Sequence, residues 1–293
     1  MLKTFKYFLI RISKILFNDE FSIKLFFLIN NKPLNLKSPL TFTDKLNYLK
    51  IHERNELITQ YSDKILLKNL VSSINGLYIS KILWIGTNLN FKKYDFKLLG
   101  LGKKVIIKTN HFSGDSKIIH VKDLYKNENI VRLNNHFKHY MSISPYDYPL
   151  REWSYRNIDR KLFIEEYLGD NLTDYKFFCF NGVPKIIHVV QDRRINIEDY
   201  FLNTEWKNLG FTMTNRSFMP YKIPKKPKKF KEMIYYAKLL SKNFKFVRVD
   251  FYNINGKIYI GEMTFYPWAG MYSFKSIDGK NWDKILGEWL NIN

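Results

Sequence analysis

The sequence contains a single cysteine, Cys179, so an internal disulfide and any zinc site built on paired cysteines are excluded. The six histidines show no HExxH or comparable ligand spacing, and a histidine zinc site is therefore not expected. Cys179 lies within an apolar run of phenylalanines. A thiol in such a run is expected to be buried and inert.

Long apolar runs are also absent. Residues 1–30 are the candidate targeting segment. Charged side chains interrupt this segment, so each apolar run is much shorter than the ~20 residues that span a bilayer. No small-residue cleavage site follows. We therefore expect a cytoplasmic protein. Six apolar residues nevertheless recur at helical spacing with basic residues between them: Phe5, Phe8, Leu9, Ile12, Ile15 and Leu16. This pattern fits either a helix in peripheral contact with the inner membrane or a helix docked on the protein's own core.

Acidic residues are few: 27 stand against 48 Lys and Arg, which gives a formal net charge of +21. Such a charge is typical of proteins that bind nucleic acid, anionic membranes or phosphorylated ligands. Lys, Asn, Ile, Phe and Tyr are abundant together, as an AT-rich genome produces, and no nucleic-acid-binding motif is recognisable. We interpret the excess as compositional drift plus a phosphate site, and we predict no nucleic-acid partner.

The 293 residues are 45% hydrophobic and 17% aromatic, which predicts a folded globular protein. Hydrophobic periodicity predicts mixed helices and strands with hairpin turns at Asn181-Gly182 and Asn255-Gly256, and so an α+β fold. One predicted helix begins near residue 43, and further predicted helices cover residues 57–71, 122–140, 230–242 and 282–290. Predicted strands cover residues 81–85, 104–108, 117–121, 162–165, 175–180, 184–190, 245–252 and 257–260. Residues 220–229 are rich in Pro and Lys and are predicted to form a solvated linker.

Two acids and an arginine interrupt strands that should be buried near the carboxyl end of the chain. Arg248 and Asp250 lie within VRVDFY, and Glu262 lies within IYIGEMT. An ionised carboxylate in a buried strand needs a cation or a hydrogen-bonding partner. Magnesium meets that need, because it takes carboxylate oxygens and bridges to substrate phosphates. The alternative is a structural salt bridge from Arg248 to either acid.

The hairpin between these strands decides whether the two acids can share a metal. If its loop is Asn255 and Gly256, residue 250 pairs with residue 261, and the two acids point to opposite faces. If the loop has three residues, with Gly256 left-handed, residue 250 pairs with residue 260, and Arg248, Asp250, Glu262 and Thr264 share one face. A shared metal therefore predicts the three-residue loop.

Three further charged positions accompany apolar strands. Lys108 ends a strand and precedes a loop of small residues, 109–116, which can offer a charge and backbone amides to phosphate. The strand LFIEEYL, residues 162–168, can offer its terminal backbone groups to an adenine ring and a carboxylate to the amino group or ribose. Lys176 lies inside the strand DYKFF. Lysines and acids at strand ends are common, and each pattern is also compatible with an ordinary exposed strand end.

In this order and spacing, the segments resemble the ATP-grasp superfamily, and specifically its TupA-like branch, named for teichuronopeptide biosynthesis. The matching motifs are DYKFFCFNG (residues 174–182) and VRVDFY (residues 247–252) through GEMTFYP (residues 261–267). Weaker matches are Ser62-Asp63-Lys64 and Arg151-Glu152-Trp153, and the resemblance covers about residues 38–290. It implies an ATP-grasp fold, in which two α+β subdomains clasp the nucleotide. The implied division is an N-terminal helical segment (1–37), a helical subdomain (38–80), a lid with the phosphate loop (81–163) and a C-terminal subdomain with the metal site (164–293).

The resemblance also implies a role for each site residue, with ATP and Mg²⁺ as cofactors. Arg248 and Lys176 are the implied catalytic residues, facing the γ-phosphate and the developing acyl phosphate. Asp250, Glu262 and Thr264 are the implied metal ligands. The implied nucleotide-binding residues are Lys64 and Lys108 at the phosphates, the loop with His111, Ser113 and Gly114, the adenine hinge Glu165, Glu166, Tyr167 and Leu168, and Asp174 or Asp170 near the ribose.

The resemblance is looser in the phosphate loop and at one metal ligand. The branch usually has a loop like His-Gly-Ser-Gly-Gly, whereas Phe112 and Asp115 here replace two glycines and add an acid near the phosphates. Thr264 stands where many ATP-grasp enzymes have Asn, as it does in the branch itself. A non-catalytic protein that no longer cradles ATP is therefore one alternative.

The resemblance implies a ligase that joins a small amine to a carboxylated sugar, a uronic acid, through an acyl phosphate during capsule or surface-polysaccharide synthesis. This chemistry requires cations around the transferring phosphoryl group and no nucleophilic side chain. Arg151, Arg193 and Arg194 are candidates to bind the anionic sugar. The alternative within the same pathway is a sugar kinase or a glycosyltransferase, although the sequence has no DxD metal motif.

Overall fold

The computed structural model describes residues 18–90, 103–170, 172–191, 198–213 and 223–293, and over these residues the fold is α+β. The helices are α1 Asp19–Ile29, α2 Phe42–His52, α3 Glu56–Ser62, α4 Lys64–Val71, α5 Asn127–Ser142, α6 Phe230–Ser241 and α7 Trp282–Trp289. The strands are β1 Leu77–Tyr78, β2 Ile82–Gly86, β3 Lys104–Thr109, β4 Lys117–His120, β5 Leu162–Glu166, β6 Asp174–Phe180, β7 Val183–Gln191, β8 Glu198–Leu202, β9 Phe211–Thr212, β10 Phe246–Ile254, β11 Lys257–Thr264 and β12 Lys275–Ser276.

A six-stranded sheet in the order β1-β11-β10-β6-β7-β8 forms the centre of the molecule. All of its neighbours are antiparallel except β1 and β11. All seven residues of β6 are buried, as expected for a central strand covered on both faces. Burial raises the pKa of the Cys179 thiol to about 12, which confirms the prediction of a buried, unreactive cysteine.

A second sheet, in the order β2-β5-β3-β4, packs against α5 and has its own small core. This core contains Val105, Ile107, Leu133, Phe137 and Ile164. The predicted lid, residues 81–163, contains β2, β3, β4 and α5, and β5 runs across its predicted end. The division into four parts remains a prediction.

The helix predicted over residues 57–71 is wrong as one element, because the chain breaks at Asp63 into α3 and α4. Asp63 has an extended backbone, with φ −72° and ψ 115°, and its carboxylate accepts hydrogen bonds from the N–H groups of Ile65 and Leu66. This side-chain cap satisfies amides at the start of α4 that have no partner within the helix. The break places Lys64 at the first position of α4, where its side chain can leave the helix end.

Other predicted elements agree with the structure within a few residues, and the differences lie in strands whose pattern is short or broken. Helix α2 begins with a capping box between Thr41 and Asp44, close to the predicted start. Strand β11 continues to Thr264 instead of ending at residue 260, and β8 and β9 were not predicted. The described part of the predicted linker is mostly exposed, except that Pro224 is buried and its carbonyl accepts a hydrogen bond from Trp206.

The described part of the N-terminal segment docks on the protein. In α1, Ile23 and Phe27 are buried, and Asp19 receives hydrogen bonds from Arg54 and Tyr146. The same helix exposes 72% of Leu28. Residues 1–17, which carry the predicted amphipathic pattern, lie outside the described residues. Within the described residues, no helix is long and apolar enough to cross a membrane.

Candidate active site

A row of polar side chains crosses one face of the six-stranded sheet. His188 on β7 is paired with Lys176 on β6, Lys176 with Asp250 on β10, and Asp250 with Glu262 on β11. Residues paired directly across neighbouring strands lie on the same face. Arg248 and Thr264 are also paired with each other, and each lies two residues along its strand from Asp250 or Glu262, on the same face. The sheet therefore brings together the five side chains predicted to handle the metal and the transferring phosphoryl group.

The predicted three-residue hairpin loop is wrong, although the two acids do share a face. Ile254 pairs with Lys257, so the loop is Asn255 and Gly256, both with positive φ (51° and 77°). A β-bulge restores the alignment: Phe251 pairs with Ile260 but Asp250 with Glu262, which leaves Gly261 as the extra residue. A Cβ on Gly261 would lie 3.1 Å from the Tyr252 ring, so glycine is the residue that suits the bulge.

Arg248 binds both acids through a forked set of hydrogen bonds. Its Nε donates to Asp250 Oδ1 (2.7 Å), and one terminal nitrogen donates to Asp250 Oδ2 (2.8 Å) and Glu262 Oε1 (2.8 Å). The same nitrogen donates to the Thr264 hydroxyl at 3.0 Å. The salt bridge considered as an alternative is therefore present, and it lies inside the cluster. Burial alone would lower the pKa of Arg248, but the two carboxylates raise it, so the guanidinium stays charged.

Lys176 and Lys64 supply the neighbouring positive charges. Lys176 Nζ donates to Asp250 Oδ2 and lies 3.6 Å from Asp174, which is buried beside it on β6. Lys64 Nζ lies 3.8 Å from Glu262 Oε2 and donates to the carbonyl of Phe112 at 2.5 Å. Burial alone would raise the pKa of Glu262, but Lys64 and Arg248 lower it to about 2, so this carboxylate is ionised.

The predicted phosphate loop, residues 109–116, lies beside Lys64, and its His111 and Asp115 side chains are buried. His111 is fully buried, and its Nε2 contacts the carbonyl oxygens of Tyr140 (3.1 Å) and Ile143 (3.0 Å). Asp115, also buried, accepts a hydrogen bond from the Thr109 N–H at 2.7 Å. The side chains of His111 and Asp115 thus fix the loop's shape, and the exposed residues Ser113 and Gly114 (φ 81°) form its tip.

Glu165 joins two lysines instead of pointing into a hinge. Its carboxylate accepts hydrogen bonds from Lys108 (2.5 Å) and Ser80 (2.7 Å) and lies 2.9 Å from Lys68. Burial alone would raise the pKa of Glu165, but Lys108 and Lys68 lower it to about 2. Lys68 was not predicted, although it lies four residues after Lys64 and hence on the same side of one helix.

The rest of the predicted hinge begins at Glu166, the last residue of β5. Glu166, Tyr167 and Leu168 are half-buried. The Glu166 N–H donates to the carbonyl of Lys81, and the Tyr167 hydroxyl donates to Asp170, which also lies 3.4 Å from Lys104. Nothing in this geometry identifies a base-binding group, and the hinge remains a prediction.

Several residues near the cluster were not predicted from the sequence. Glu152 is influenced by Arg248 and Glu262, and burial raises its pKa to about 7. Burial lowers the pKa of its neighbour Lys50 to about 7, and Lys50 donates to the carbonyl of Ala269 at 2.6 Å. His188 and Trp268 lie at the β7 end of the polar row. Of these residues, only Glu152 had a sequence signal, as part of a weak family match. The other residues are recognisable only by their contacts with partners that are distant in sequence.

The donor set fits a magnesium ion bound together with phosphate. Among the described residues, no three His, Cys, Asp or Glu side chains gather into a metal cage. Magnesium does not need one, because it commonly takes one or two carboxylates and completes its shell with phosphate oxygens and water. Glu262 Oε2 has Lys64 at 3.8 Å, and 27% of the Glu262 side chain is exposed. Glu262, with Asp250 and Thr264 beside it, thus presents oxygen donors at the edge of a group of cations.

The fold and this cluster define an ATP-grasp protein. More specifically, the chain belongs to the TupA-like ATP-grasp family, whose model matches residues 44–291. The predicted family and fold are thereby confirmed. None of the curated proteins compared with the chain matches it.

Solved structures similar to the chain are ATP-grasp ligases of low sequence identity. D-alanine–D-alanine ligase from Bacillus anthracis, complexed with ATP, is 16% identical with a TM-score of 0.42, over 70% of this chain and 55% of that one. The Helicobacter pylori D-alanine–D-alanine ligase is 13% identical with a TM-score of 0.43, over 81% and 66%. The ligase PsnB, complexed with minimal precursor, Mg and ADP, is 11% identical with a TM-score of 0.41, over 71% and 52%. The chain therefore spans about half to two thirds of the length of these ligases.

Proposed function

We propose that this protein is an ATP- and magnesium-dependent carboxylate–amine ligase that works through an acyl phosphate. One observation carries the proposal: the bulged hairpin places Arg248, Asp250, Glu262 and Thr264 on one face, with Lys176 paired beside Asp250. A carboxylate that attacks the γ-phosphate meets a group of fixed cations there. Preorganised positive charge is the main protein contribution to phosphoryl transfer.

In this proposal ATP lies between the two sheets. Lys64 and Lys108 bind its phosphates, and Ser113 and Gly114 cover them. Asp250, Glu262 and Thr264 hold magnesium, which neutralises phosphate charge when bound. Arg248 and Lys176 stabilise the charge on the transferring phosphoryl group and on the acyl phosphate. Because Asp115 is turned onto Thr109, the extra acid of the loop does not argue against ATP binding.

The acid substrate in the proposal is a uronic acid of a surface polysaccharide, as the family's name suggests, and the amine is small. Arg151 does not fit its predicted role as a sugar ligand, since it is buried against the Tyr146 ring and lies 3.9 Å from Asp19. Arg193 and Arg194 lie outside the described residues. We further propose that the protein acts in the cytoplasm, where ATP is available, with residues 1–30 as a peripheral contact to the inner membrane.

A trapping assay tests the proposed function. The protein is incubated with Mg²⁺, ATP, hydroxylamine and each of a panel of uronic acids, and ADP and hydroxamate are measured. We expect both products in equal amounts with at least one acid. Absence of hydroxamate with every acid would refute the ligase. ADP with a phosphorylated sugar hydroxyl would favour a kinase.

Two substitutions in the metal cluster test the assigned roles in the same assay. Asp250→Asn and Glu262→Gln keep the side-chain shape and remove one negative charge each. We expect hydroxamate formation to fall at least about 100-fold in both variants, the scale of losing one preorganised electrostatic group. Circular dichroism should show an intact fold. Full activity in either variant would contradict its role.

A further inference from the structure

A buried His–Asp pair extends the polar row beyond Lys176. His188 is only 2% exposed, and its Nε2 lies 2.8 Å from Oδ1 of Asp199, which is buried on β8. The imidazole stacks on the Phe201 ring with centroids 4.3 Å apart and planes 6° apart. The carboxylate and the stacked ring together fix the orientation of the imidazole.

This arrangement leaves one ring nitrogen of His188 available. A carboxylate only accepts hydrogen bonds, so Asp199 selects the tautomer with the proton on Nε2. Nδ1 then carries a lone pair, and it has no hydrogen-bond partner among the described residues. A buried acceptor without a partner is costly and uncommon in folded proteins. Nδ1 is therefore suited to accept a proton from a bound molecule.

Burial favours the neutral ring of His188. Burial lowers the pKa of His188, and the charges of Lys176 on β6 and Arg248 on β10 lower it further, against the opposing effect of Asp199. A neutral imidazole with a free nitrogen is the form required of a general base. The charges of Lys176 and Arg248 thus add to the effect of burial.

An aromatic side chain on a strained turn lies over this end of the row. Trp268, Ala269 and Gly270 all have positive φ (50°, 54° and 76°). Lys50 donates to the carbonyl of Ala269 (2.6 Å) and Asn47 to that of Gly270 (2.8 Å). Backbone strain of this kind persists where surrounding contacts enforce it, often at functional sites.

The strained turn holds the Trp268 indole over His188. Its ring centroid lies 5.9 Å from that of His188 and 6.1 Å from that of Phe178, while 39% of the residue stays exposed. The indole therefore lies close to the His188 ring while part of Trp268 stays accessible to solvent.

We propose that His188, held by Asp199 and lying beside Trp268, is the general base that deprotonates the amine nucleophile. The inference rests on the proposed function. The amine enters as its free base, and its nitrogen lone pair forms a C–N bond to the acyl carbon. One N–H proton passes to Nδ1 of His188, while Asp199 stabilises the imidazolium. The C–O bond to phosphate breaks, phosphate leaves with that electron pair, and the imidazolium returns its proton to phosphate or solvent.

The test compares nucleophiles that depend differently on a base. Hydroxylamine is weakly basic, so its nitrogen readily loses a proton to water after it adds to the acyl carbon, whereas the strongly basic nitrogen of ammonia or methylamine keeps that proton until a base removes it. In His188→Gln, the amide can still donate to Asp199, but no base remains. With full-length protein, Mg²⁺, ATP and the uronic acid that gives hydroxamate, we expect an unchanged hydroxamate rate. Amide formation from ammonium or methylamine should fall about 100-fold, the lower end for general bases.

Two further variants separate this role from a structural one. Asp199→Asn, whose amide can donate to Nε2 and move the proton to Nδ1, should lower amide formation at least tenfold with hydroxamate formation retained. His139→Gln, at an exposed histidine of α5, is the matched control and should change neither rate.

The outcomes distinguish the inference from the proposed function. Wild-type protein that forms no hydroxamate refutes the ligase and this inference together. Normal hydroxamate formation with equal amide rates in wild type and His188→Gln overturns the inference alone, as does equal loss of both products in that variant. Wild-type protein that forms hydroxamate but no amide from ammonium or methylamine also counts against the amine pocket.

Discussion

At the scale of single residues, the hydrogen bonds give Asp250 and Glu262 unequal tasks. Both oxygens of Asp250 are bonded to Arg248, and Oδ2 also to Lys176. Glu262 gives one oxygen to Arg248 and keeps the other at the cleft, 3.8 Å from Lys64. Asp250 therefore orients the two predicted catalytic cations, while Glu262 has the more accessible oxygen for the proposed metal. A metal role for Asp250 requires one of its hydrogen bonds to loosen when magnesium and phosphate bind.

Glu165 provides a residue-scale prediction about stability. Glu165→Gln removes the negative charge between Lys68 and Lys108 and leaves Lys68 buried without a counter-charge. Breaking a buried pair on one side costs about 3–5 kcal/mol, and we expect a loss of that size in the free energy of unfolding, measured with urea. Adding Lys68→Met should recover part of it. An unchanged free energy of unfolding in Glu165→Gln would contradict the assigned role.

The same residue predicts how stability changes with pH. The pKa of Glu165 is lowered from 4.5 to about 2 in the folded protein, so folding favours its ionised form. The stability gained is fully present above pH ~4.5 and is lost as the pH falls towards about 2. The shift corresponds to about 3 kcal/mol, because each pKa unit contributes about 1.4 kcal/mol. Urea denaturation between pH 2.5 and 7 should show a shallower acid loss in Glu165→Gln than in wild type.

At the scale of elements, two local irregularities position the site. The break between α3 and α4 frees Lys64 to reach Phe112, and the bulge at Gly261 places Glu262 opposite Asp250. In a continuous helix, Asp63 and Lys64 would lie in the middle of the helix and not at an end. In a regular hairpin, Glu262 would lie on the other face of the sheet. Both irregularities are stabilised locally, the first by a side-chain cap and the second by the absence of a side chain.

Gly261 allows this idea to be tested with a matched control. In Gly261→Ala the new Cβ would lie 3.1 Å from the Tyr252 ring and 3.4 Å from the Asp250 carbonyl, so the ring or the bulge must give by a few tenths of an ångström. Gly256→Ala adds a Cβ with no atom within 4 Å, but at φ 77°. A left-handed backbone costs a residue with a Cβ about 1–2 kcal/mol. We expect both variants to lose stability, and we expect only Gly261→Ala to lose at least tenfold in hydroxamate formation. Equal activity in the two variants would show that the bulge does not position Glu262.

At the scale of the whole molecule, helix α4 connects the two sheets. It packs on β11 of the six-stranded sheet, and its amino end contacts the phosphate loop of the other sheet. Asp63 accepts a hydrogen bond from Asn110 at 2.8 Å, and Lys68 pairs with Glu165 on β5. The proposed phosphate-binding lysines, Lys64 and Lys108, thus come from a helix and a strand that meet at Glu165. A nucleotide between them would strengthen the connection.

This arrangement predicts that Mg²⁺ and ATP stabilise the protein. A ligand at 100 times its dissociation constant adds about 2.7 kcal/mol when it binds the folded form alone. We expect the melting temperature to rise with Mg²⁺ and the non-hydrolysable analogue AMPPNP, and amide exchange to slow in residues 103–120. Lys64→Ala should reduce the rise in melting temperature. The same rise in that variant would argue against phosphate binding by Lys64.

The family, the order of the main elements and the residues of the polar cluster on the six-stranded sheet were predictable from the sequence. These depend on local patterns: polar residues within apolar strands, turn dipeptides and motifs of close spacing. The prediction that Arg248, Asp250, Glu262 and Thr264 share a face was therefore confirmed, while the loop length offered as its cause was wrong. Register depends on the whole ladder of strand pairing, and one bulge changes it by one residue.

The tertiary structure alone showed which polar groups become partners. Lys68 with Glu165, Lys50 with Ala269, and His188 with Asp199 and Trp268 are partners from separate elements. It also showed that Asp115 and His111 support the loop, whereas the sequence placed both beside phosphate. What a buried polar side chain does depends on the groups that it contacts. Those contacts form only when the separate elements pack together.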